Sequence, residues 1–313
     1  MAITKTHGLY GVSLHTDAMG ALVVLPGVTD CQVRAGSEVR ATPTGGNTYA
    51  EFLALVAQRP GANFSCLGAA TALANIGLTG LKIAAATNPG VDLVGYASAE
   101  GSTRAGASSH KKYNVQEGII VPRSLRCDHQ GDAVAAFDLI ATYDGTNDPV
   151  AETDSQSVDT AATDDERYTI GGITLGNIAL TGFRSVEINF GVVARSVGAD
   201  SDIWDTFCYI PTISPTIVFR GIDPLWFDAA AVPLIGLVGT QANTTIYLRK
   251  RAATGYVANG TAEHIKINAA GLVTLDNIFS ASGDAEGETS IMMTTQYDGT
   301  NAPLVINTAS AIT

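Results

Sequence analysis

The segment Tyr143-Asp144-Gly145-Thr146-Asn147-Asp148-Pro149 recurs as Tyr297-Asp298-Gly299-Thr300-Asn301-Ala302-Pro303, 154 residues further on. A repeat at fixed spacing constrains a fold more than any single motif, because both copies must form the same unit. The same spacing lays His110-Lys111-Lys112-Tyr113-Asn114 over His264-Ile265-Lys266-Ile267-Asn268, with His, Lys and Asn matching at alternate positions. Alternation is the mark of a strand, whose successive side chains point to opposite faces. Gly95-Tyr96-Ala97 matches Gly255-Tyr256-Val257 at a spacing of 160, which implies an insertion in the first copy around Ser102 to Ser108. Fainter echoes pair Gln58-Arg59-Pro60-Gly61 with Phe219-Arg220-Gly221, and Pro26-Gly27-Val28 with Phe190-Gly191-Val192. The order is the same in both halves. The expected organisation is a first domain at 1–152, a solvated acidic linker at 153–166, and a second copy at 167–313, which suits a chain of 313 residues.

Within each copy the expected elements are short strands. Phe137, Leu139 and Ala141 alternate with Asp138, Ile140 and Thr142 before the first Tyr-Asp-Gly turn, and Ile291 to Thr295 holds that place before the second. Asp-Gly followed by Pro reads as a hairpin corner. Further strands are expected in pairs: Tyr10–Leu14 with Tyr168–Leu175, Gly20–Leu25 with Val186–Val193, Phe52–Ala57 with Thr216–Arg220, and Leu81–Thr87 with Thr245–Arg251. Ser65 to Ile76 reads as a helix with Ser65 as N-cap, and Asp228 to Leu237 as its shorter, Pro-interrupted counterpart. Arg34–Asn47 and Val197–Asp205 read as long loops. The fold class is therefore mainly β: two tandem copies of a β-sandwich or partly closed barrel, each with one flanking helix and long loops.

The chemistry-bearing motifs are missing. There is no G-x-S-x-G, no phosphate-cradling G-x-x-x-x-G-K-[ST], no G-x-G-x-x-G and no H-E-x-x-H. Cys127-Asp128-His129 has no second cluster to complete a metal shell. The four cysteines, Cys31, Cys66, Cys127 and Cys208, lack CxxC spacing and read as buried thiols. Asp144, Asn147 and Asp148 offer oxygens for Ca²⁺, but Ala302 replaces the last in the second copy, so a plain turn is preferred. The matched His110 and His264 suggest a pH switch or metal ligand, against the plainer reading of strand histidines with satisfied hydrogen bonds. Asp164-Asp165-Glu166 reads as a solvated acidic trio. No catalytic residue, cofactor site or metal site is expected.

Net charge is -12, from 18 basic and 30 acidic residues, which speaks against a nonspecific grip on a phosphate backbone. Met1 to Gly11 has no apolar run, and Ala229 to Val238 is broken by Pro233, so neither a secretory signal nor a membrane span is expected.

A duplicated β domain without catalytic motifs points to assembly. With its repeats, small residues and loops, the chain resembles the major tail tube proteins of long-tailed bacteriophages, in a variant with two tube domains. That resemblance implies a ring whose inner strands form a continuous β-barrel, loops that reach the next ring, and three chains giving six domains. It further implies that the partners are the chain's own copies, other tail proteins and viral DNA passing through the lumen unbound, with the virion as location. An acidic wall would keep DNA phosphates away, and some of Glu38, Asp132, Asp138, Glu187 and Asp284 are expected to line it. The alternatives are another virion component, such as a trimeric capsid-decorating or tail-terminator protein, or a carbohydrate-binding sandwich using Trp204, Trp226 and Tyr209.

Overall fold

The computed structural model describes residues 5–15, 22–46, 48–84, 90–99, 101, 109–156, 166–176, 178–198, 203–223, 226, 240–283 and 286–313. The chain is mainly β. In order, its first half contains β1 (Lys5–His15), β2 (Leu22–Val24), β3 (Val28–Arg34), β4 (Ser37–Pro43), β5 (Ala50–Gln58), β6 (Gly61–Cys66), α1 (Ala69–Ile76), β7 (Leu81–Ile83), β8 (Val91–Ala99), β9 (Ser109–Val115), β10 (Gly118–Asp128), β11 (Val134–Ala141) and β12 (Ala151–Gln156). The second half contains β13 (Tyr168–Leu175), β14 (Ile178–Ala179), β15 (Phe183–Asn189), β16 (Val192–Val197), β17 (Phe207–Ile213), β18 (Thr216–Gly221), β19 (Thr240–Ala252), β20 (Gly255–Tyr256), β21 (His264–Ser280), β22 (Glu288–Thr295) and β23 (Leu304–Ser310).

In the first half a five-stranded sheet, β12-β9-β8-β1-β2, faces the strands β10-β11-β6-β3. Val12, Leu14 and Leu93 from one layer meet Phe64, Ile120, Phe137 and Leu139 from the other, all at most 1% exposed. Each such side chain contributes about 1.5–3 kcal/mol by leaving water. The alternation expected for Phe137, Leu139 and Ala141 is present, and their side chains form the centre of this core. Stacked Phe64 and Phe137 rings, with centroids 5.3 Å apart, anchor it.

The pairings of the first half reappear in the second. The partners β1·β2, β1·β8, β8·β9, β9·β12, β10·β11, β11·β6, β6·β3 and β4·β5 have as counterparts β13·β14, β13·β19, β19·β21, β21·β23, β21·β22, β22·β18, β18·β15 and β16·β17. The single 17-residue β21 stands where the first half has β9 and β10. Irregularities fall at matching places too: β10·β11 slips between Pro122 and Ser124, and β21·β22 between Leu275 and Asn277, although β21·β22 slips once more, between Asn277 and Ser280, where β10·β11 does not. Likewise β3·β6 slips between Val28 and Asp30, and β15·β18 between Phe183 and Ser185.

Several expectations need correction. Tyr-Asp-Gly is not a hairpin corner in either half, because the strand after it, β12 or β23, pairs with β9 or β21 and not with the strand before it, β11 or β22. Residues 153–156 are not linker but part of β12, an edge strand exposed on both faces and so without an apolar rhythm. Arg34–Asn47 is not a loop: β4 and β5 form a long hairpin arm. Ser65 lies in β6, and α1 begins after Gly68 with no side-chain cap. Gly95 sits within β8 opposite Leu9, whereas Gly255 opens the two-residue β20 opposite Ala252, so that echo joins unlike positions. The fainter echoes are also out of register. Gly27 matches Gly182, each accepting a 2.9 Å bond from Leu67 or Ile222, and Pro60 matches Pro215, each accepting a 3.1 Å bond from Ala141 or Thr295. Phe52–Ala57 accordingly corresponds to β17, not to Thr216–Arg220, and Gly20–Leu25 ends in β2, whose counterpart is β14 and not Val186–Val193. The expected insertion at 102–108 and the helix at 228–237 lie outside the described residues.

The halves are welded by strand pairing. β10 lies antiparallel to β15, from Ser124 opposite Asn189 to Asp128 opposite Ser185, and this makes one 14-stranded sheet through both halves.

Candidate functional site

The repeated turn is built the same way twice. The Asp144 carboxylate accepts from the backbone N–H of Thr146 (2.7 Å) and Asn147 (2.6 Å) and from the Asn147 amide (2.8 Å). Asp298 does so with Thr300 (2.8 Å) and Asn301 (2.6 and 2.9 Å). Each Asp therefore closes an Asx turn and has its oxygens turned inward, away from a cation. The Asn301 amide and the N–H groups of Asn301 and Thr300 hold Asp298 down to about 2; the Asn147 N–H leads the same lowering at Asp144. Among the described residues no three His, Cys, Asp or Glu gather into a metal cluster.

The matched histidines differ in surroundings. His264 is fully buried, accepts at Nδ1 from the Lys250 N–H (3.0 Å) and lies 3.0 Å from the Ala258 carbonyl through Nε2, which fixes it as a structural imidazole. His110 packs edge-on against Tyr10, with ring centroids 4.6 Å apart, and its buried Nδ1 meets no partner among the described residues. Burial pushes the thiols of Cys31 up to about 11 and of Cys66 and Cys127 up to about 12, so none is poised as a nucleophile.

Glu166 is not simply solvated. Its carboxylate accepts from the N–H (3.2 Å) and hydroxyl (2.6 Å) of Thr71, and so satisfies donors in the first turn of α1. Asp164 and Asp165 lie outside the described residues. Trp226 is not available to a sugar: it is buried, and its Nε1–H donates to the Thr181 carbonyl at 2.7 Å.

The acidic residues expected to line a channel do not form one acidic face. Asp138 and Glu187 lie on strands of the long sheet, but Asp138 pairs with Arg123 (3.5 Å) and Glu187 with Arg220 (3.2 Å). Glu38 is on the β4–β5 arm and pairs with Arg59 (3.0 Å), and Asp132 pairs with Arg251 (3.0 Å). Asp284 lies outside the described residues.

What the fold does present is unpaired apolar surface at matching places. The two arms, β4–β5 and β16–β17, are two-stranded sheets of their own. Each leaves the body through a left-handed glycine, Gly36 (φ 59°) or Gly191 (φ 57°). A Cβ there would stand 1.9 Å from the Arg59 carbonyl oxygen or 2.0 Å from that of Ser214. The first arm exposes Val39, Tyr49, Phe52, Leu53, Leu55 and Val56; the second exposes Val193, Val197, Phe207, Tyr209 and Ile213. Apolar groups concentrated on projecting arms mark a surface meant to be covered. Composition could not reveal this, because it does not say which apolar residues lack a core. An open cleft of about 690 Å³ lies beside β3, lined by Leu9, Cys31, Val33, Leu93, Tyr113 and Trp204 among others.

The sequence matches no protein-family model and no curated protein.

Proposed function

We propose that residues 1–152 and 167–313 are two copies of one domain, and that the chain is a non-enzymatic structural subunit which assembles with its own copies. The assembly is a set of stacked rings, each of three chains, forming the tail tube of a long-tailed bacteriophage, made in the host cytoplasm and carried in the virion beside other tail proteins. The observation behind this reading is the repeated pairing plan, with an apolar arm at the same point of each half. A monomer has no use for two such arms. A stack of rings covers them and also pairs the strand edges that would otherwise invite uncontrolled aggregation.

DNA passes through the lumen without binding. The net charge of -12 supports this, since phosphate is repelled over about 8 Å at physiological salt. Because Asp138 and Glu187 are each balanced by an arginine, the repulsion belongs to the chain as a whole and not to one acidic row.

Negative-stain microscopy of the purified full-length chain tests the proposal. Hollow filaments of uniform width are the expected result. Small closed oligomers that never stack would overturn it in favour of a capsid-decorating or tail-terminator role.

A further inference from the structure

One contact between the halves pairs β10 with β15, and β3 and the end of β21 carry the counterparts of that contact without pairing to each other. Within the chain, the end of β10 lies along β15, with Leu125 opposite Ile188 and Cys127 opposite Val186. These four side chains are at most 1% exposed, and Ile170 on β13 beside them is 9% exposed. The matching bulges identify the counterparts of the receiving residues Ile170, Val186 and Ile188 as Leu9, Cys31 and Val33. Those three are only half-buried and line the open cleft of about 690 Å³; Cys31 and Val33 belong to β3, the last strand on its side of the long sheet, and Leu9 to β1. The counterparts of Ser124 and Arg126 in the inserting segment are Asn277 and Ser280, with one extra residue between them, at the far end of β21, past Val273, where its pairing with β19 stops.

A second contact shows the same asymmetry independently. Ile203, Trp204 and Asp205 of the second half dock on the first: the Gln58 N–H donates to the Ile203 carbonyl (2.6 Å) and the Tyr143 N–H to the Asp205 carbonyl (2.9 Å). Trp204 donates to the Gln58 side chain (3.0 Å) and packs on Tyr143 with ring centroids 5.1 Å apart. The counterparts of Trp204 and Tyr143 are Tyr49 and Tyr297, which are 81% and 60% exposed. The counterpart of Gln58 is Ile213, itself exposed.

From these two asymmetries, and resting on the two-copy reading above, we infer that a second copy of this chain completes both contacts. The end of β21 in one copy extends the sheet at β3 of the next, antiparallel, with Asn277 opposite Arg34 and Ser280 opposite Gln32, and Tyr49 of that next copy packs on Tyr297 and Ile213 of the first. The register transferred from β10·β15, with the extra residue of β21 between Asn277 and Ser280 taken into account, sets Asn277 against Arg34, Ser280 against Gln32, Ala281 against Cys31 and Ser282 against Asp30, so no like charges oppose each other. Both contacts run in one direction, from the second half of one copy to the first half of the next. The association is therefore heterologous, and it either closes into a ring or continues as a helix.

The test joins the two tyrosine positions in the full-length chain. Tyr49→Cys with Tyr297→Cys, treated with a short bismaleimide, should give covalent multimers of three or more chains, whereas either single variant should remain at the level of the untreated wild type. Tyr49→Ala or Tyr297→Ala should each weaken association by about tenfold or more, as loss of a buried aromatic anchor does, with unchanged thermal unfolding of the unassembled chain. Hollow filaments from the double variant with no cross-link above the single-variant level would overturn this contact while leaving the tube proposal standing. Cross-linked rings that never stack would support the contact and overturn the tube. A chain that stays monomeric at every concentration would overturn both.

Discussion

Asp144 and Asp298 show how one side chain can define a repeat. Each accepts three hydrogen bonds from the residues two and three places after it, so the ionised form is favoured in the fold and less so in the open chain. The sign follows from the lowered folded value: the carboxylate adds stability above the ordinary Asp range near 4, and that stability is lost as pH falls through about 2 at Asp298. Carboxyl carbon shifts followed by NMR should therefore show Asp298 still ionised at about pH 3, where ordinary Asp side chains are mostly protonated. Titration of Asp298 near 4 would remove the turn from the account. The Tyr-Asp-Gly-Thr-Asn motif is visible in the sequence, and so is its turn; its place between strands that do not pair with each other is not, because a local hydrogen-bond pattern does not say where the chain goes next. His110 and His264 carry the same lesson. They match in sequence, yet only His264 is held through both ring nitrogens.

At the level of elements, the arms are the least predictable part of the fold and the most telling. β4 reads Ser-Glu-Val-Arg-Ala-Thr-Pro and is almost wholly exposed, so it has no buried face to impose a two-residue period and resembles a loop. β12 was hidden for the same reason. β11, with one face in the core, was readable from its alternation. Phe52 and Leu53 are 62% and 68% exposed on β5, so changing both to Ser removes apolar surface without opening a cavity. Stability of the dissociated chain should change by no more than about 0.5 kcal/mol for each surface substitution, while self-association, followed by sedimentation or light scattering, should fall sharply. Undiminished association would mean that the first arm is not an assembly surface.

On the scale of the whole molecule, the β10·β15 pairing makes the halves mechanically one. Leu125 and Ile188 face each other there, and both are essentially inaccessible to water. Ile188→Ala should cost about 2–5 kcal/mol through lost burial and a residual cavity. Because the sheet is continuous, chemical denaturation should follow one transition for both halves, and this substitution should shift the whole of it. Two separated transitions, with only the later residues affected, would show that the halves fold as independent bodies. No helix among the described residues is long and apolar enough to cross a membrane.

The sequence by itself determined the β character, the twice-occurring Tyr-Asp-Gly-Thr-Asn turn, the absence of recognisable catalytic motifs and the acidic balance, since these depend on local pattern and composition. Tertiary structure alone decided which glycines and prolines correspond, that Glu166 serves α1, that Trp226 is core, and that β3, the end of β21, Tyr49 and Tyr297 are left uncovered. The physical reason is that a strand's meaning lies in its neighbour. Register and edges are set by residues far away in the chain, and a pattern read along one strand cannot say which side of it will find a partner.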